Sequence, residues 1–341
     1  MAQISPDFKN IAVIHFGQLG DVVLGLPALL AIRERFPTAK LTLLLGTATG
    51  ELGRIAQLSD EQILVDRVEL RDGNKLRSIG KIFKLVGEVR SRKFDLVVDL
   101  HSLSETNLLG YLSGAKHRLY ASRKNRSLDR LSNLKPPPED KTKHVTKRYF
   151  DVLEPLGIKN EERPFHFSPD LADIERVTAK FAAGAGWRLE GSVGLFPGAG
   201  HPSRCWRLEN FAELAKRLSG KGMPYSVILG PEEAGLRSEI DRVFPAETHV
   251  IDGLSIAEFI AAASQLAAFV GNDTGATHMA ACAGAPIVLI LDHGAPLTYL
   301  PRTERIEVVR TGPISDIPVD DIFAAVMRSV APAADDKPSG G

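Results

Sequence analysis

Short apolar runs rich in β-branched residues recur along this chain, interleaved with segments whose apolar residues return every three or four positions. Ile11–Phe16, Leu41–Leu45, Phe94–Leu100, Val193–Phe196, Tyr225–Leu229, Ala267–Gly271 and Pro286–Leu291 are such runs. They read as buried strands. Val22–Phe36, Leu103–Leu112, Leu208–Leu218, Ile256–Ala263 and Gly275–Ala283 carry amphipathic or wholly apolar helical patterns. Strands that alternate with helices predict parallel sheets covered on both faces, an α/β fold of doubly wound type.

The series breaks in the middle. Leu134-Lys-Pro-Pro-Pro-Glu-Asp140 cannot continue a helix or a central strand, because proline fixes φ and lacks an N–H. A helical pattern follows at Val145–Leu156, then Gly157 and a polar stretch to Pro169. With 341 residues the chain is long for one core. We therefore expect an N-terminal domain over 1–170, a C-terminal domain over 171–330 and a disordered tail over 331–341. No fixed-period repeat is visible.

Composition narrows the function classes. Apolar residues make up 44% of the chain and charged residues 25%, which excludes a wholly disordered, collagen-like or disulfide-scaffold protein. Cys205 and Cys282 are the two cysteines and form no CxxC pair, so a cysteine-built zinc or iron–sulfur site is excluded. The start, MAQISPDFKN, lacks the basic and apolar regions of a signal peptide, and no apolar run reaches the roughly 18 residues that span a bilayer. A cytoplasmic protein is expected. From Lys116 to Arg148 there are eleven Lys/Arg against three Asp/Glu, a net of +8 in a chain of zero formal charge. Arg123, Lys124, Arg126 and Arg130 lie in this segment, which suits phosphate, carboxylate or an anionic membrane face, or else is a solvated loop. No aromatic-interleaved or zinc-finger pattern accompanies it, so nucleic acid is not expected.

Three loops follow strand ends, where ligands bind in open parallel sheets. In Gly17-Gln-Leu-Gly20-Asp21, Gly20 admits close backbone approach, and Asp21 can serve as a catalytic carboxylate or merely cap the next helix. In Phe196-Pro-Gly-Ala-Gly-His-Pro-Ser-Arg-Cys-Trp206, Gly198 and Gly200 can turn N–H groups toward an anion, with Ser203 and Arg204 adding bonds to phosphate; an ordinary connection is the other reading. In Gly271-Asn-Asp-Thr-Gly-Ala-Thr-His278, Asp273, Thr274 and Gly275 open a helix whose free N–H groups can cradle a diphosphate, and His278 can donate to it or pack quietly. Glu232 and Glu233 follow another strand end, where a carboxylate can hold a ribose diol or start a helix. Neither a GxGxxG fingerprint, a P-loop, an HExxH nor a GxSxG elbow is present, and no DxD pair recruits a metal. These absences weigh against a nicotinamide-dependent oxidoreductase. A non-catalytic two-domain sugar-binding protein is the rival of another class.

Together the loops resemble those of glycosyltransferase family 9, the lipopolysaccharide heptosyltransferases. The resemblance runs through Leu19-Gly-Asp-Val-Val-Leu-Gly-Leu-Pro-Ala-Leu29, Asp99-Leu-His101, Leu112-Ser-Gly-Ala-Lys116, Tyr149-Phe-Asp-Val-Leu-Glu-Pro-Leu-Gly157, Phe196-Pro-Gly-Ala199 with Trp206, and Gly271–His278. It implies a GT-B fold, two Rossmann-like domains facing a cleft, with the acceptor on the first and the sugar nucleotide on the second. It implies inversion at the anomeric carbon, no cofactor and no catalytic metal. Asp21 matches the family's catalytic aspartate. Gly20, His101, Arg123, Lys124, Arg126 and Arg130 fall to an anionic lipopolysaccharide-type acceptor, reached by peripheral contact with the inner membrane. Gly198, Ala199, Ser203, Arg204, Glu232, Glu233, Asp273, Thr274, Gly275 and His278 fall to a nucleotide-diphosphate sugar, ADP-heptose in the first instance. Two departures stand out: Arg204 occupies the place of a lysine, and Leu291-Asp-His-Gly-Ala-Pro296 replaces a Phe-Gly-Pro-Thr loop. A family member using another sugar nucleotide or polysaccharide acceptor is the nearest alternative.

Overall fold

The computed structural model describes residues 7–67, 69, 75–159, 163–182 and 187–331. It divides into two compact units: Met1–Phe167 with Pro296–Arg302, and Ser168–Ala295 with Thr303–Gly341. A C-terminal domain running unbroken from 171 to 330 is thus interrupted at 296–302. Local contacts account for this: Leu300 O meets Nε2 of His144 at 2.9 Å, and the Arg148 guanidinium lies 5.2 Å from the centroid of the Tyr299 ring. Apart from Ala331, the expected tail lies outside the described residues.

In the first unit, β1 (Asn10–His15), β2 (Lys40–Gly46), β3 (Glu61–Val65), β4 (Leu96–Asp99) and β5 (His117–Tyr120) form one parallel sheet in the order β3-β2-β1-β4-β5. Around it come α1 (Leu19–Arg35), α2 (Gly50–Ala56), α3 (Lys75–Ser91), α4 (Ser104–Leu112) and α5 (Val145–Leu153). Helix α1 buries Val22, Val23, Leu24, Leu26, Leu29 and Ile32, which cover most of its circumference, so it behaves as a core helix rather than a surface one.

The second unit holds β6 (Val193–Phe196), β7 (Tyr225–Ile228), β8 (Val250–Ile251), β9 (Ala268–Asn272), β10 (Ile287–Ile290) and β11 (Ile306–Val309), again all parallel, in the order β11-β10-β9-β6-β7-β8. Its helices are α6 (Leu171–Ala182), α7 (Leu208–Gly220), α8 (Arg237–Val243), α9 (Ile256–Ala263), α10 (Gly275–Cys282) and α11 (Val319–Val330). In both units the strand order reverses direction beside the first strand. The crevice this leaves opens between β1 and β4 in one sheet and between β6 and β9 in the other.

Trp206 anchors the core of the second unit. Its ring meets Phe211 edge-on at 4.9 Å, and its Nε1 donates to Ile317 O at 2.9 Å. Phe211 is itself fully buried among Val193, Leu195 and Leu214. Replacing Phe211 with Ala should destabilise the second unit by about 3–5 kcal/mol, the cost of losing an aromatic side chain from a close-packed core. Urea denaturation would show this as an earlier onset of unfolding; an unchanged midpoint would contradict the packing described.

Candidate active site

Three of the four strands that flank the two crevices end on a buried polar residue: His15 on β1, Asp99 on β4 and Asn272 on β9. Each side chain organises the loop that follows it.

At the end of β1, the Gly17 N–H donates to Nδ1 of His15 at 3.3 Å. Gly17 has no room for a side chain, since a Cβ there would lie 2.7 Å from Cβ of Asp21 and 2.8 Å from Cε1 of His15. The chain then enters α1. Asp21, in the first turn, accepts the Gln18 N–H on Oδ2 at 3.1 Å while remaining partly exposed. Asp21 is therefore a cap in fact, yet a second oxygen is left over. Gly20 is beside it and also partly exposed.

Beneath Asp21, the His15 ring packs edge-on to Tyr149 at 5.3 Å and lies 6.2 Å from the ring of His101. Burial, then the neighbouring His101 and the positive charge of Arg123, holds His15 down at about 3. His101 is held down at about 4, by burial first and then by Arg67, Arg123 and Arg126. Both imidazoles are neutral at neutral pH, and their buried Nε2 atoms have no hydrogen-bond partner among the described residues. The Tyr149 phenol is pushed up by burial and then by the charge of Asp21.

Asp99 supports the adjoining loop. Its Oδ1 accepts the Ser102 N–H at 2.7 Å, its Oδ2 accepts Nδ2 of Asn107 at 2.7 Å, and Asn107 Oδ1 in turn accepts the Leu128 N–H at 2.8 Å. Burial outweighs these bonds and pushes Asp99 up to about 6. The chain Asp99–Asn107–Leu128 pins the basic segment to the carboxyl edge of the sheet. Within that segment Arg123 is turned inward: Nη1 donates to His101 O at 2.6 Å, and Nε lies 3.3 Å from Oε1 of Glu139. Lys124, Arg126 and Arg130 are exposed.

In the second unit Asn272 ties the two loops beside its crevice together. Its Nδ2 donates to Pro197 O and Gly198 O, both at 3.0 Å, and its Oδ1 accepts the Trp206 N–H at 3.0 Å. Thr277 Oγ1 donates to Asn272 O at 2.6 Å, fixing the start of α10 to the strand end. Thr274 is the residue before α10 and its side chain caps nothing, which leaves the first-turn N–H groups of Gly275 and Ala276 turned outward. His278, one turn on, is buried and places Nε2 3.6 Å from Oδ1 of Asp273.

Glu233 is buried against the β6 loop. A Cβ on Gly198 would collide with its carboxylate, so only glycine fits there. Burial, then the neighbouring Glu232, pushes Glu233 above the usual carboxylate range. Glu232, Ser203 and Arg204 are exposed, and Ala199 is partly so. The loop after β10 is braced by Asp292, which accepts the N–H groups of Gly294 at 2.8 Å and Ile314 at 3.0 Å. The structure thus gathers Asp21, Gly20, His101 and Arg123 at one crevice. It gathers Gly198, Glu233, Asp273, Thr274, Gly275 and His278 at the other. His15 and Glu139 escaped the reading of motifs, and Asp99, Tyr149 and Asn272 stood inside the motifs without a role of their own. A polar residue closing an apolar run was the available signal for three of them.

The model of glycosyltransferase family 9 (heptosyltransferase) matches residues 82–318. The chain belongs to that family. It is a glycosyltransferase. A curated relative, lipopolysaccharide heptosyltransferase 3 of Escherichia coli strain K12, is 24% identical, over 93% of this chain and 97% of the relative. Among solved structures, a family 9 glycosyltransferase from Veillonella parvula superposes with a TM-score of 0.84 at 21% identity, covering 96% of this chain and 99% of the other. The E. coli ADP-heptose lipopolysaccharide heptosyltransferase II superposes at 0.77 and 18% identity, over 94% and 98%. The two α/β units are therefore the paired Rossmann-like domains of a GT-B glycosyltransferase.

The buried groups of the first crevice set a pH response. The His15 pKa falls from 6.5 to about 3 on folding, so as pH drops the unfolded chain takes up the proton first. Its contribution is intact above pH 6.5 and is lost as pH falls toward 3. Asp99 acts in the opposite direction: raised from 3.8 to about 6, it opposes folding increasingly as pH rises between those values. In proton NMR the His15 ring should keep its neutral chemical shift from pH 8 down to pH 5. A titration midpoint near 6.5 would show that the ring is not buried as described.

Proposed function

We propose that this family 9 enzyme is an inverting transferase that moves a heptose-like sugar from a nucleotide diphosphate, ADP-heptose in the first instance, to an anionic lipopolysaccharide-core acceptor. The observation that carries this reading is Asp21. It stands just past the carboxyl end of β1, beside the crevice between β1 and β4, locked by one oxygen to the Gln18 N–H and partly exposed. The names of the curated and solved relatives supply the sugar, donor and acceptor class.

The chemistry follows from what each group can do. An acceptor hydroxyl attacks the anomeric carbon from the face opposite the leaving diphosphate, and Asp21 takes the hydroxyl proton as the new bond forms. The bond from the anomeric carbon to the diphosphate oxygen breaks, and negative charge grows on that oxygen. The free N–H groups at the start of α10 and the exposed Arg204 would receive it, with Ser203, Ala199 and Gly198 lining the diphosphate. No metal enters these steps. Arg retains the charge of the lysine it replaces but offers a planar fork that can hold two phosphate oxygens at once. Glu233, with Glu232 beside it, is placed to accept ribose hydroxyls, and Asp273 and His278 complete the donor end.

On the acceptor side, Gly20 precedes Asp21 and is partly exposed. Lys124, Arg126 and Arg130 face the acceptor's phosphates and carboxylates. Arg123 acts from below, fixing His101 through its carbonyl.

Asp21→Asn keeps an oxygen for the Gln18 N–H but cannot take the proton. It should lower kcat at least about a hundredfold, the scale of general-base catalysis, with melting temperature and donor affinity nearly unchanged. Normal turnover, or a variant that fails to fold, would leave Asp21 as a cap only. Arg204→Ala should weaken nucleoside-diphosphate binding by about 1.5–3 kcal/mol, the scale of a charged hydrogen bond. Unchanged affinity in calorimetry would remove Arg204 from the donor site.

A further inference from the structure

His15 is a buried polar residue at the end of the strand that leads to Asp21. Two glycines make room for its ring. At Gly17 a Cβ would lie 2.8 Å from Cε1 of His15 and 2.7 Å from Cβ of Asp21. At Gly25, buried on α1, a Cβ would lie 3.0 Å from both Cδ2 and Nε2 of the ring. Gly17 cannot take a side chain while the imidazole stands there, and Gly25 could take one only if the ring gave way. The imidazole is thus wedged between the β1 loop and α1, with Tyr149 edge-on against it.

The loop fixes which nitrogen carries the proton. The Gly17 N–H donates to Nδ1 of His15 at 3.3 Å, and the next amide, Gln18 N–H, donates to Oδ2 of Asp21 at 3.1 Å. A backbone N–H can only donate, so Nδ1 is bare and Nε2 holds the proton. The opposite tautomer would set two N–H groups against each other, with only the residue's own carbonyl to receive the ring proton. The Nε2 proton has no acceptor among the described residues. A cavity of about 10 Å³ that the ring lines supplies none, since its other walls are Gly25 and aliphatic side chains such as Val22, Leu26 and Leu43. A buried donor without a partner is a standing cost to folding. A leucine would occupy the place without that cost.

We propose that His15 is a positioning residue for the transfer reaction: its bare Nδ1 holds the Gly17 amide and, through the Gly17–Gln18 turn, sets where Asp21 stands. The unpaired Nε2–H is retained because no aliphatic side chain can accept that amide, and buried sites that break a local rule in this way belong with function. Neutrality of the ring, which burial secures, keeps Nδ1 an acceptor. This role rests on Asp21 as the base, and the first of its tests involves no turnover.

Long-range proton–nitrogen NMR correlation of the full chain, labelled at histidine, reads the tautomer directly. His15 should be protonated on Nε2 and bare on Nδ1 from pH 8 to pH 6. A ring protonated on Nδ1 overturns the assignment, whatever the role of Asp21. His15→Leu removes the acceptor, and His15→Asn returns an oxygen close to the place of Nδ1. The Leu variant should melt at or above the wild-type temperature and lose at least about tenfold in kcat, with both KM values within about twofold of wild type. The Asn variant should recover most of that kcat. Wild-type kcat in the Leu variant overturns the assignment, and so does an Asn variant no better than Leu, which would leave ring packing as the whole effect. If the Leu variant does not fold, the Asn variant decides against wild type, and a loss beyond about tenfold in kcat overturns the assignment. Normal turnover by Asp21→Asn is a failure of the base reading; normal turnover by His15→Leu beside an impaired Asp21→Asn is a failure of this one.

Discussion

Parallel strands deliver every backbone to the same edge of the sheet, and where the winding reverses no crossover covers that edge. In both units of this protein the reversal falls beside the first strand, between β1 and β4 and between β6 and β9. The loops there must turn without the support of a neighbouring connection. His15, Asp99 and Asn272, each the last residue of its strand, provide that support from below. Burying three polar side chains is costly unless their hydrogen-bonding capacity is used. Asn272 uses it fully, binding two carbonyls and one N–H of the loop after β6.

The first crevice is held differently. Asp99 accepts hydrogen bonds that fix the Ser102 turn and, through Asn107, the basic loop. Arg123 supplies positive charge beneath two neutral imidazoles, and Glu139 balances it from the far side. A segment that looks uniformly basic in sequence is therefore divided. Arg123, together with Arg148, is bound to Glu139 inside the unit, while Lys124, Arg126 and Arg130 remain in solvent. Only the second group is free to meet an anionic ligand by its side chains.

The central strands and the helices next to them were legible because burial on both faces leaves near-continuous apolar runs, as in Ile11–Phe16 and Pro286–Leu291. The edge strands were not. Glu61–Val65, His117–Tyr120, Val250–Ile251 and Ile306–Val309 are short and half-exposed, so polar residues interrupt them. Helix α3 was missed although Ile79, Ile82, Phe83, Val86 and Val89 recur at one helical period. Asp21, Thr274 and His278 could be picked out because small residues and glycines crowd a strand end there. His15 and Asn272 offered a weaker signal, a single polar residue closing an apolar run, which also reads as the strand's own end. The return of Pro296–Arg302 to the first unit had no local signature at all, because the contacts that hold it, to His144 and Arg148, lie some 150 residues away in sequence.

The proposed function draws on both crevices for one transfer reaction, and that proposal is open to a single direct measurement. The purified chain would be incubated with ADP-heptose and a lipopolysaccharide-core acceptor, ADP release followed in time, and the new linkage assigned by NMR. Release of ADP that depends on acceptor, with the opposite anomeric configuration in the product, is the predicted result. ADP release that ignores the acceptor, or a product that retains the donor's configuration, would contradict the account.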